Sequence, residues 1–282
     1  MNYREQLHTF GSHGGLVGVL TEPAGEAATL AGDKPAIIVS NVGLNHRTGP
    51  NRLWVDLARR MAGKGFVTLR FDMDGLGDSS IRTDKRPDVE RHAVDLREAV
   101  DFVAKKTKVA RVALIGLCSG VDPVHAIATD DPRVCAAFFL DGYNYSTPRH
   151  LLNVRFLRAF DLRHYLRSAR SLLLRRNARR ETGFTDPVFV RDYPAPRSMR
   201  ADIDAMLARG TRLYFGFTGG FAYLYSYHDQ LFDMLPGGRE LRDRIVVEMF
   251  PQADHLFSGL DLKEGLYASI ERFLAEAPAQ RG

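Results

Sequence analysis

Apolar and polar positions divide the 282-residue chain into short apolar runs separated by longer stretches of helical period. Ala36-Ile37-Ile38-Val39 is continuously apolar and ends in a turn-rich loop from Asn41 to Pro50, the pattern of a strand buried on both faces. Leu53, Leu57 and Met61 then recur at helical spacing until Gly63 and Gly65 end the helix. Phe66–Phe71 reads as the next strand, and the loop Asp74-Gly75-Leu76-Gly77-Asp78-Ser79 leads to a helix over Val89–Val103. Strands follow at Arg111–Ile115, Val134–Leu140, Arg212–Phe217 and Ile245–Phe250, and a last helix sets Leu262, Leu266, Ile270 and Phe273 on one face. Such alternation predicts an α/β fold with a mainly parallel sheet and helices on both faces. The stretch from His8 to Val19 is hairpin-like, but its many glycines leave its strands unplaced.

After Asp141 the alternation stops for about 65 residues, replaced by Arg-rich helical pieces and a Pro-containing stretch from Asp186 to Arg197. This reads as an inserted helical cap over 145–209, with 1–144 and 210–282 forming the main domain. Charge sharpens that division. The chain carries +5 overall, but Tyr145–Arg209 alone holds 14 arginines and 6 acidic residues, so the remainder is about −3. Arg155–Arg180 suits phosphates, an acidic protein or an anionic membrane surface, and equally a solvated helical face; no recognition motif accompanies it, so no nucleic-acid partner is expected.

No apolar run approaches the roughly 20 residues that cross a bilayer, and Met1–Gln6 is polar, so the expectation is a soluble, cytoplasmic protein without stable membrane insertion. Cys118 and Cys135 have neither disulfide-scaffold nor zinc-site spacing, which fits a reducing compartment and calls for no metal or cofactor.

The chemistry concentrates in Gly116-Leu117-Cys118-Ser119-Gly120, placed between a strand and a helix. In a strand-to-helix turn this tight, flanking side chains collide while the central residue projects its nucleophile above the sheet. The glycine spacing selects Cys118, since a turn centred on Ser119 would be flanked by Leu117 and Val121. The backbone N–H of Ser119 then points where an oxyanion would form, with Leu44 the favoured second donor and Gly43 the next. His46 and Arg47 of the same loop are expected at the substrate. Of the nine histidines, His255 stands just after the last strand, where a general base reaches the elbow. The acid is open between Asp141, preferred at a strand end, and Asp229, because Phe217-Thr218-Gly219-Gly220-Phe221 has no carboxylate after the strand preceding the histidine strand.

Over Val39–Ser80 and Val112–Tyr145 these motifs resemble the α/β-hydrolase superfamily, near a bacterial serine aminopeptidase-like branch. The resemblance rests on Asn41-Val42-Gly43-Leu44-Asn45-His46-Arg47-Thr48-Gly49-Pro50-Asn51-Arg52-Leu53, on Leu69-Arg70-Phe71-Asp72 with Gly75-Leu76-Gly77-Asp78-Ser79, and on the elbow, in that order. It implies an α/β-hydrolase fold and nucleophilic acyl chemistry. Two departures are a cysteine at the usual serine and the missing acid near Phe221. Dienelactone hydrolases also use a cysteine at the elbow, but continue with a glycine where Val121 stands. The expectation is a Cys–His–Asp hydrolase or acyltransferase acting on an ester or thioester, its small-molecule acyl donor free or bound to coenzyme A or a carrier protein. The competing class is a catalytically weak scaffold that keeps the fold for binding.

Overall fold

A computed structural model describes residues 2–83, 86–153 and 193–276. Eight strands form one sheet: β1 (Tyr3–Phe10), β2 (Leu16–Pro23), β3 (Ala36–Val39), β4 (Thr68–Asp72), β5 (Val112–Leu117), β6 (Val134–Leu140), β7 (Arg212–Thr218) and β8 (Ile245–Phe250). Their spatial order is β1-β2-β4-β3-β5-β6-β7-β8; β1 and β2 are antiparallel additions, and every pairing from β4 to β8 is parallel.

Period-two alternation sorts each central strand between two cores. Ile38, Leu114, Ala137 and Phe139 face one core, Ile37, Ile115, Ala136 and Phe138 the other. The first is closed by α2 (Asp88–Thr107), α3 (Val121–Asp130) and α4 (Pro196–Ala208), through residues such as Leu96, Val124 and Ile203. The second is closed by α1 (Leu53–Gly63) and α6 (Leu260–Ala275), through Leu57, Met61, Leu266 and Ile270. The short helix α5 (Gln230–Met234) sits in the crossover from β7 to β8. Burial on both faces explains why these strands read as unbroken apolar runs.

The unplaced early stretch is a regular hairpin, turning at residues 11–15, whose second strand pairs with β4. In the expected cap range, α4 lays Met199, Ile203 and Met206 into the first core, which makes it a sheet-covering helix. The expected cap residues 154–192, with most of the Arg-rich stretch, lie outside the described residues. Among the described residues no helix is long and apolar enough to cross a membrane.

Candidate active site

β5 runs directly into a single 3-10 turn, Cys118–Gly120, which opens α3. Cys118 occupies the left-handed region at φ 55°, a strained position for a residue with a side chain. The strain is held by close backbone packing. A Cβ on Gly116 would lie 2.4 Å from the carbonyl oxygen of Gly120, and one on Gly120 would lie 2.3 Å from that of Asn41. Both flanking positions therefore exclude any larger residue, as the sequence pattern requires.

Asp141 ends β6 with no exposed surface, also at positive φ (44°), its N–H donating to Gly216. Its carboxylate accepts three hydrogen bonds: the Thr218 N–H on Oδ1 (2.8 Å), the Thr218 hydroxyl on Oδ2 (2.5 Å), and Nδ1–H of His255 on Oδ2 (2.8 Å). That bond fixes the ring and leaves Nε2 for Cys118, to which His255 is also hydrogen-bonded. The His255 pKa is raised to about 10, first by the Asp141 hydrogen bond, then by that to Cys118, against the opposing effect of burial. The structure thus brings Cys118, His255 and Asp141 together. Asp229 bonds instead to His228 and to Arg242 (2.7 Å), at the start of α5.

A physical reason why no carboxylate follows β7 lies in Gly219 and Gly220. The loop carrying His255 follows β8 and must reach back across the end of β7 toward β5. It does so by lying on these glycines: a Cβ on Gly219 would be 2.0 Å from the Pro251 carbonyl oxygen, and one on Gly220 would be 2.5 Å from the His255 nitrogen. Gly220 N–H donates to the Ala253 carbonyl, and Phe221 stacks on the His255 ring at 5.6 Å and 13°. A side chain has no room at either glycine, and the next strand end over supplies the carboxylate.

The loop after β3 is pinned from several sides. Asn41 Oδ1 accepts from Met73 N–H, and its Nδ2 donates to the Asn45 carbonyl. Gly43 N–H donates to the Ser119 hydroxyl oxygen at 2.8 Å, which commits Gly43 and leaves Leu44 as the donor with an open N–H. Among the described residues neither the Ser119 nor the Leu44 N–H has an acceptor. His46 is exposed, its ring near Thr48. Arg47, expected at the substrate, instead commits its guanidinium to buried Asp72 and to Asp78, and its N–H to Asp72, so it clamps two loops. Those partners raise its pKa against the opposing effect of burial.

Thr218 and Phe221 escaped the sequence reading as parts of the site. A threonine at a strand end carries no spacing signal, and Phe221 was visible only as the residue standing near a missing acid.

No family model matches the chain, and neither does any curated protein sequence. Solved structures do resemble it. An esterase from Pyrococcus furiosus superposes with a TM-score of 0.57 at 12% identity, over 98% of this chain and 91% of that one. An α/β serine hydrolase homologue from Coxiella burnetii gives 0.52 at 15% identity, over 99% of each chain. An α/β serine hydrolase without lid from Xanthomonas campestris gives 0.50 at 14%, over 99% of this chain and 98% of that one. At such identities the likeness is one of fold.

Proposed function

On the α/β-hydrolase fold that this chain has, we propose a hydrolase or acyltransferase that works through a Cys118 acyl-enzyme, with His255 as the proton carrier and Asp141 as its orienting acid. One observation carries the reading: a strained cysteine is hydrogen-bonded to a histidine whose far nitrogen is 2.8 Å from a buried carboxylate. With the imidazole favouring its protonated form, the resting pair is thiolate and imidazolium. The thiolate attacks the carbonyl carbon, and the carbonyl oxygen takes up the charge between the N–H groups of Ser119 and Leu44. His255 gives its Nε2 proton to the departing alcohol or thiol, and the acyl group stays on sulfur as a thioester. Water, or another acceptor, then loses a proton to His255 and releases the acyl group. The named esterase and hydrolase neighbours support this reaction class, and an ester or thioester donor, free or carrier-bound, suits it.

The test is intact-mass measurement after incubation with a panel of esters, lactones and thioesters. An acyl adduct that maps to Cys118 and vanishes in Cys118→Ala is expected. Turnover that survives Cys118→Ala removes Cys118 from the mechanism, and a folded protein that forms no adduct with any donor points to a binding scaffold.

A further inference from the structure

Of the ten large apolar side chains exposed among the described residues, five follow strand ends along one edge of the sheet. Leu44, Ile81, Tyr223, Leu256 and Leu260 are all exposed, and all follow the C-terminal ends of parallel strands, the edge that carries Cys118. Scattered exposed apolar residues are ordinary, but a collection around one reactive group is informative. Three of them adjoin the machinery itself. Leu44, 81% exposed, follows Gly43, whose N–H is tied to the residue after the nucleophile. Leu256, 37% exposed, follows His255. Tyr223, 64% exposed, has its ring 5.9 Å from that of Phe221, which stacks on His255. Asn51 links the two loops by donating to the Leu256 carbonyl and the Ser258 hydroxyl. The one guanidinium expected beside the substrate in this rim, that of Arg47, is neutralised by two aspartates.

We propose that the substrate of Cys118 carries an extended apolar segment, which Leu44, Tyr223 and Leu256 cover while its carbonyl lies against the nucleophile. This rests on the acyl-enzyme reading above. The segment can belong to the acyl chain or to the leaving group, and both present the same chemistry to the rim. A fully buried methylene is worth up to about fourfold in kcat/KM, and a rim that covers one side of a chain recovers a part of that.

Two arms distinguish the sources. In one, acetyl to decanoyl esters share one small leaving group; in the other, acetyl esters of methanol to decanol share one acyl group. All are kept below the concentration at which they aggregate, and kcat/KM and Cys118 adduct formation are both followed. At least one arm should rise tenfold or more along its series. In Tyr223→Ser with Leu256→Ser the long-to-short ratio of that arm should fall about tenfold, and Leu256→Ser alone should lower it in part, which covers the case of a double variant that folds poorly. A Cys118 adduct that forms equally fast along both series overturns the apolar assignment and leaves the acyl-enzyme standing. No Cys118 adduct from any member overturns both.

Discussion

Thr218 brings both of its donors to Asp141, and Asp141 turns one oxygen to His255. Its hydroxyl therefore acts through other groups: it sets the carboxylate that sets the imidazole. Thr218→Val keeps the N–H and loses the hydroxyl, so kcat should fall roughly three- to tenfold with little change in KM, and Thr218→Ser should recover it. A fall in folding stability with kcat unchanged would show that the hydroxyl serves only the strand end. Asp141→Asn should cost more, though less than the roughly 10⁴-fold seen for the acid of a serine triad, because a thiolate–imidazolium pair partly sustains itself. Asp229→Asn should leave kcat near the parent value. The pH dependence has a definite sign. Because the folded-state pKa of His255 is raised to about 10, first by Asp141, its contribution to stability is complete below about 6.5 and is lost as pH climbs toward 10. The difference in Tm between the parent and His255→Gln should accordingly narrow over that window. Cys118 and His255 were legible because a turn's sterics and the chain order each leave few choices. Asp141 was legible only as one of two aspartates, since its pairing joins residues 114 positions apart.

At the scale of elements, the buried strands were legible almost to their ends, because burial on both faces demands unbroken apolar runs. The hairpin of β1 and β2 was not, and its anchor explains why. Glu5 on β1 bonds Arg59 of α1 at 2.7 Å and Arg70 of β4 at 3.0 Å, contacts without a local pattern. Burial pushes the Glu5 carboxyl up, yet the two guanidinium groups hold it below its ordinary value. Its contribution is thus present above about 4.5 and lost as pH falls through the lowered value. Glu5→Gln should destabilise the protein by about 1–3 kcal/mol near neutral pH, leaving Arg70 nearly buried with half a partner, and by less in acid. Chemical denaturation at two pH values measures both. The glycine platform under the histidine loop offers a sharper probe. Gly220→Ala should cost about 1–3 kcal/mol by overpacking and lower the reaction of Cys118 by displacing His255, whereas Gly210→Ala, at a turn where a Cβ meets nothing, carries only its positive-φ strain.

The whole molecule presents the site as a row. Adjacent strands β5, β6, β7 and β8 deliver, in order, Cys118, Asp141, Thr218, which holds the Asp141 carboxylate, and the loop bearing His255. Neighbouring strands are about 4.8 Å apart, so the histidine loop must travel roughly three strand widths to reach Cys118. That fold-back comes from the close packing of a whole sheet edge, which no single stretch of sequence announces. The parallel topology itself was legible, because alternating runs and helices leave few arrangements. The place of α4 was not: the sequence puts it in the expected cap range with its Arg-bearing neighbours, and its packing against α3 and the sheet is a long-range feature.

The two cysteines, neither in a disulfide, stand in contrasting settings. Cys135 is side-on to β5, donating to the Val112 carbonyl, and burial raises its pKa, so its sulfur stays protonated in neutral water. Cys118 is hydrogen-bonded to His255, whose raised pKa favours the protonated ring in neutral water. A brief exposure to iodoacetamide near pH 6.5 should add one carbamidomethyl group, at Cys118, and almost none in His255→Ala. If Cys118 carries the acyl group as proposed, the labelled fraction counts competent molecules directly, and the rate with any acyl donor can be stated per working centre.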